Sequence, residues 1–293
     1  MAINPMEYSS KDVVLDVVRA ERDRFYEVID DPDNWHAETR CEGWEVRDLV
    51  GHMIDVSEAY LERWEMAENG EEAPPPLGWQ VMAETLNEGA LAHRDLSREE
   101  AIARLKSASD RLMEIFEGLS EEEWNNFMVS HVFSGPLPAF CYPAFQIMDY
   151  GVHSWDMRWG LGDKDSRLDE RTAGVLLPYM FIIWQYSVDP EKSEGVDVEY
   201  GIKVDGEWGG QWKASIHDGQ FEYEPVEDAS PFLDLAISTH QDWGSLFVQG
   251  IARHSDDVAT GLQFDVHRMV RSHVTYDKLL HRIREEKLPE HAY

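Results

Sequence analysis

Three side chains near the middle of the chain, Asp149, His153 and Asp156, have the types and the spacing for metal or acid–base chemistry. On a helix that advances roughly 100° per residue, Asp149 and His153 point the same way, and Asp156 lies close beside them. Phe145, Met148, Val152, Trp155 and Trp159 run along one side of this strip, and Tyr150 and Met157 along the other. Gly151, Ser154 and Arg158 fall opposite. A strip facing solvent would border charged residues. This one borders apolar residues, which places it inside a helix bundle. Burying a carboxylate or an imidazole alone is costly. A metal ion is one partner that removes the cost, and a carboxylate plus a His on one helix is a common way to build a bundle metal site. A plain side-chain pair has the same spacing, so spacing alone does not separate the two readings.

A third ligand would come from elsewhere. His52 lies on the flank of an apolar stripe formed by Val46, Leu49, Val50, Met53, Val56, Tyr60 and Trp64. A flank is where a side chain reaches between helices. The candidate ligand set is therefore His52, Asp149 and His153, although periodicity does not tie His52 to the other two. Two imidazoles, one carboxylate and an open position suit a catalytic zinc or another divalent transition metal. Asp156 is a candidate for orienting a ligand from behind, or else a carboxylate that packs the helix. His131 precedes a loop, and either lines the same pocket or is exposed. His93, His217, His240, His254, His267, His273 and His281 are scattered and read as surface. Cys41 and Cys141 have neither disulfide-framework nor zinc-pair spacing, and read as small hydrophobes. No Gly-x-Ser-x-Gly, P-loop or Gly-x-Gly-x-x-Gly motif is present.

The elements that must position these residues follow from the pattern. Apolar periodicity predicts helices over about Ser9–Asp30, with Ser9 or Ser10 as cap, then Glu45–Ala67 and Gly78–Asp95. Capping-box sequences at Ser97–Glu100 and Ser120–Glu123 open a helix to Gly118 and a shorter turn. Phe127–Pro143 reads as extended or irregular, and the helix of the strip as Ala144–Gly160. A further helix is expected over Leu168–Ser187. Then the pattern changes to alternation at Val196–Tyr200, Trp212–Ile216 and Gln220–Glu224, with Asp205-Gly206 and Asp218-Gly219 as turns. Leu233–Ser238 reads as a strand, and His240–Ile251 and Thr275–Glu286 as helices. The fold class expected is α followed by α+β, a helical domain over 1–165 and a smaller α+β domain over 166–293.

Composition bounds the partners. The 293 residues are 43% hydrophobic, enough for a sizeable core. No apolar run approaches the ~20 residues of a membrane span, and no basic-then-apolar leader opens the chain. The default is a cytoplasmic enzyme or binding protein acting on a small molecule. Against 26 Lys and Arg stand 58 Asp and Glu, a formal net charge of −32. This excess repels phosphates, so no nucleic acid and no anionic membrane partner is expected. It fits either a salty cytoplasm or an ordinary acidic bacterial protein.

Asn34-Trp35 and the run Thr39–Met53 (TRCEGWEVRDLVGHM) resemble the N-terminal signature of the mycothiol-dependent maleylpyruvate isomerase family, which belongs to the DinB-like four-helix metalloproteins. Asp149–Met157, ending in Leu161-Gly162, resembles that family's second signature, and Leu86-Asn87 with the Ser97 cap its intervening pattern. The resemblance spans about residues 9–165. Asp234–Ser238 and Trp243–Gly250 are similar, more loosely, to the sterol-carrier-like domain often attached to the family. The resemblance implies a DinB-like bundle in which His52, Asp149 and His153 hold a divalent metal, usually zinc, beside a low-molecular-weight thiol such as mycothiol. Two positions depart from the pattern. Asp149 stands where the family has Glu, which bears on metal affinity. Gln146 stands where it has Arg, which bears on the substrate. The reading is a metal- and thiol-dependent isomerase or S-transferase acting on a small electrophile. A metal-dependent hydrolase without a thiol, or a non-catalytic protein carrying a small apolar ligand, are the alternatives.

Overall fold

The computed structural model describes residues 4–41, 43–164, 166, 168–187, 197–205, 209–217, 220–229 and 237–240. The chain divides into two compact units, one holding Asn4–Leu168 and the other continuing from Asp169. In the first unit, helices α1 (Lys11–Ile29), α2 (Val46–Glu68), α4 (Arg98–Gly118) and α6 (Cys141–Gly160) form a four-helix bundle. They meet in a ring, α1 against α6 and α4, and α2 against α4 and α6. Helix α3 (Trp79–Leu91) lies against α2, and α5 (Glu121–Asn126) is a short turn.

Local chemistry sets most of these boundaries. Ser97 and Ser120 each accept from the backbone N–H three residues on, and Glu100 and Glu123 reach back, so two reciprocal boxes start α4 and α5. At the start of α2, Asp48 accepts from the Glu45 N–H at 2.8 Å. Arg94 also grips this buried carboxylate through Nε and Nη2, each at 2.7 Å. That grip explains why α3 stops at Leu91 rather than running to Asp95. The chain must turn to bring Arg94 back to α2, and Arg94 and Leu96 close tight turns on Leu91 and His93. Ser10 does not cap α1 either. A 3-10 turn at Tyr8–Ser10 precedes the helix, and the Ser10 hydroxyl donates to the Asn4 and Glu7 carbonyls at 2.7 Å.

The stretch read as irregular is ordered. β1 (Met128–His131) and β2 (Gly135–Pro138) form an antiparallel hairpin, His131 opposite Gly135. Gly135 has φ +84°, a conformation that favours glycine. Helix α6 begins three residues earlier than expected. Pro143 then sits in its first turn, where the missing N–H would have no intrahelical partner anyway. Almost every face of α6 is covered. The Gly151 side is covered too: an added Cβ there would lie 2.9 Å from Leu168.

The second unit opens with α7 (Glu170–Ser187), started at Asp169, whose carboxylate accepts from the Arg171 and Thr172 N–H groups. A four-stranded sheet follows in the order β5-β4-β3-β6, with β3 (Asp197–Asp205), β4 (Gly210–His217), β5 (Gln220–Pro225) and β6 (Ile237–His240). The first three pair antiparallel, and β6 joins β3 in parallel. Phe181 of α7 packs on Trp212 and Tyr223, with centroids at 5.2 and 5.0 Å. His240, expected to open a helix, ends β6 opposite Asp205. The turn residues Gly206 and Asp218-Gly219, the remaining helix expected after His240, and Thr275–Glu286 lie outside the described residues. So does most of the sterol-carrier-like motif. No helix among the described residues is long and apolar enough to cross a membrane.

Candidate metal centre

Helix α6 carries Asp149, His153 and Asp156 on one face, and α2 brings His52 to meet them. The His52 and His153 rings meet edge to face, with centroids 5.0 Å apart. One donor atom from each of His52, Asp149 and His153 lies within 4.8 Å of the others. His153 belongs to a second such group, with Cys41 and Asp156. Its Nδ1 is 3.3 Å from Asp156 Oδ2. With Nδ1–H donated to that carboxylate, Nε2 keeps its lone pair for a cation.

The surroundings fix these groups. The Trp44 indole stands 5.5 Å from the His52 ring and 6.4 Å from that of His153. Its Nε1 donates to Asn87 Oδ1 at 2.8 Å, which ties this wall to α3. Arg40 donates its backbone N–H to the Asp156 carbonyl, and its guanidinium lies 4.5 Å from Trp155 and 5.0 Å from Trp159.

Burial sets the protonation states. It holds His52 well below the usual imidazole range, and the neighbouring charge of His153 pushes the same way. A neutral His52 keeps a lone pair to donate. Asp149 retains some accessible surface, but protein closes around its carboxyl and pushes its pKa up to about 6, against the pull of His153. It is still ionised at neutral pH. Nδ1 of His52 is buried and has no hydrogen-bond partner among the described residues. Leaving a buried polar atom unpaired is costly. An unpaired imidazole nitrogen beside a carboxylate and a second imidazole fits a divalent cation such as zinc, which takes N and O donors at this count.

Other residues of interest fall differently. Cys41, read as a small hydrophobe, is half-buried with its Sγ 3.6 Å from Asp156 Oδ2. Its only signal in the sequence was its place inside the Thr39–Met53 run. Cys141 is buried. His131 is not exposed: it is buried in β1, 5.2 Å from the Phe145 ring. Its Nδ1 accepts from the Phe133 and Ser134 N–H groups, so the ring proton sits on Nε2. His131 belongs to neither donor group among the described residues. His93 and His217 are partly exposed. His254, His267, His273 and His281 lie outside the described residues.

Comparison with known proteins agrees with the bundle. The family described as "Mycothiol maleylpyruvate isomerase N-terminal domain" matches residues 15–158. A crystal structure of the mycothiol-dependent maleylpyruvate isomerase is similar at TM-score 0.50 and 17% identity, covering 84% of this chain and 91% of that one. At that identity the likeness speaks for the fold. A mutant of that enzyme matches over the same shares at 17% identity and TM-score 0.49. The colibactin self-resistance protein ClbS, in complex with a dsDNA, matches at TM-score 0.45 and 15% identity, over 52% of this chain and 96% of that one. No protein of curated function matches the chain.

Proposed function

Residues 15–158 belong to the mycothiol maleylpyruvate isomerase N-terminal domain family, and from that premise we propose that the chain is a metal- and thiol-dependent enzyme of isomerase or S-transferase type acting on a small electrophile. The observation that carries this reading is the convergence of His52, Asp149 and His153 donor atoms within 4.8 Å. A divalent cation held by these three would keep a cofactor thiol deprotonated, and so nucleophilic, at neutral pH. Asp156 fixes the tautomer and the angle of His153. Burial keeps His52 neutral and available. Asp149 supplies the negative charge that balances a cation inside the bundle. Trp44, itself buried, stands as a wall beside both imidazoles.

The test begins with metal content. Purified protein should carry about one divalent ion per chain by elemental analysis, and His52→Ala and His153→Ala should each lose it. Full metal retention in both variants overturns the ligand set. Turnover of electrophiles should then require mycothiol, bacillithiol or glutathione. Turnover that ignores all three thiols points to a hydrolase instead, and metal-free protein that carries an apolar ligand points to a binding protein.

A further inference from the structure

We propose that Cys41, His153 and Asp156 form a second cation position, for a thiophilic ion, which excludes a cation at the His52–Asp149–His153 group because both draw on the His153 ring. One donor atom from each of the three lies within 4.8 Å of the others. Asp156 Oδ2 is the shared corner, 3.6 Å from Cys41 Sγ and 3.3 Å from His153 Nδ1. A tetrahedral zinc-like ion takes nitrogen and oxygen at about 2.0 Å and sulfur at about 2.3 Å, which sets the oxygen about 3.3 Å from the nitrogen and about 3.5 Å from the sulfur. Both spacings therefore already suit such an ion.

The backbone builds this corner. Cys41 opens a tied turn: the Trp44 N–H donates to the Cys41 carbonyl at 3.0 Å, and the Cys41 N–H donates to Thr39 Oγ1 at 3.1 Å. The Thr39 hydroxyl in turn donates to the Trp44 carbonyl at 2.8 Å. The segment is laid on α6 at two points. The Arg40 N–H donates to the Asp156 carbonyl at 3.2 Å. Gly160 admits the Glu38–Thr39 backbone, since a Cβ there would run into the Glu38 carbonyl oxygen. Main-chain contacts, more than a side-chain rotamer, thus set the distance from thiol to carboxylate.

Protons and charge decide what fills the position. Without a cation, the Cys41 thiol and the His153 Nδ1–H both donate to Oδ2. A cation takes the place of these two protons. The thiol proton leaves to solvent, and the Nδ1 proton gives way as the ring takes one up at Nε2. His153 then has no lone pair left for the first group, so one position fills at a time. The charges that act here are Asp156 and Arg40, whose guanidinium acts on both Asp156 and Cys41, with Asp149 acting on His153 from the turn before. Together with a Cys41 thiolate and a divalent ion they balance. A thiolate selects soft ions, of which cadmium is a convenient probe. Expelling the thiol proton costs affinity, so the position fills from added cation rather than ahead of the first group. The exclusion rests on the reading given under Proposed function; cation binding at Cys41 does not.

Cadmium titration of the full-length, metal-stripped protein tests this, read by the sulfur-to-cadmium charge-transfer absorption. The decisive sample is His52→Ala, in which the first group lacks a ligand. The band should appear there and saturate, at lower cadmium than in wild type, where the first group competes for His153. The chain has two cysteines. Adding Cys141→Ala should keep the band and adding Cys41→Ser should remove it, so the sulfur is assigned even where one of these variants fails to fold. Adding Asp156→Asn should raise the half-saturating cadmium by roughly tenfold or more. No band in His52→Ala, a band that survives Cys41→Ser, one lost with Cys141→Ala in folded protein, or one indifferent to Asp156→Asn would each overturn the position. Equal titration of His52→Ala and wild type would overturn the exclusion. Failure of the first group shows separately, as retained metal in His52→Ala and His153→Ala as purified.

Discussion

The imidazoles of His52 and His153 stand nearly perpendicular, at 88°, across the α2–α6 interface. At this separation in a buried site two imidazolium charges would repel strongly. At least one ring must stay neutral, and burial assigns that state to His52. His52 is thus arranged to donate an electron pair rather than a proton.

His153 is held from behind by Asp156, which is 0% exposed. Asp156→Asn keeps the volume and removes the acceptor charge. Metal affinity, measured by competition with a chelator, should fall ~10–100-fold with the helical content unchanged. Unaltered affinity would make Asp156 a packing carboxylate only.

Asp149 should cost stability when no cation is present. Its folded pKa of about 6 lies above the ordinary 3.8. Between these values the unfolded chain ionises while the folded one stays protonated, so stability falls as pH rises from 3.8 to 6; the full penalty stands above 6 and vanishes below 3.8. In metal-free protein, Asp149→Asn should raise the unfolding free energy by ~1–3 kcal/mol at pH 8 and by nearly nothing at pH 4. Urea titrations at the two pH values read this directly. The same variant should bind metal weakly.

His131 should drive the opposite trend. Burial lowers its pKa to about 4 from the ordinary 6.5. Between these values the unfolded chain takes up a proton that the folded one refuses, so stability falls as pH drops from 6.5 towards 4. The loss should reach up to ~3 kcal/mol. His131→Phe, whatever its stability at pH 7, should show a shallower acid slope in thermal melts. An identical slope would show that His131 does not titrate in this window.

Gly51 lies where α2 touches α3. A Cβ there would stand 2.4 Å from the Ala90 carbonyl oxygen. Both partners are backbone, so neither can swing away. Gly51→Ala should destabilise the unit by ~1–3 kcal/mol. Because His52 is the next residue, metal affinity should fall as well. Denaturant midpoints and chelator competition on the same sample check both effects.

Local information reached some of this and not the rest. Helical period alone places Asp149, His153 and Asp156 on one face, since covalent geometry fixes those angles. The Ser97 and Ser120 boxes are equally local, and both appear as expected. The α3 boundary was not legible, because Arg94 ends it by reaching Asp48 on another helix. The hairpin at Met128–Pro138 was missed for a related reason: its strands are four residues each, too short for alternation to stand out.

Sequence by itself determined the helical bundle, the change to a sheet after α7, and one carboxylate–imidazole face. Only the tertiary structure decided that His52 meets that face and that Cys41 lies against Asp156. The reason is physical. A helix sets the angles of its own side chains through its backbone. Which two helical faces end up opposed depends on how every apolar stripe in the bundle is buried at once.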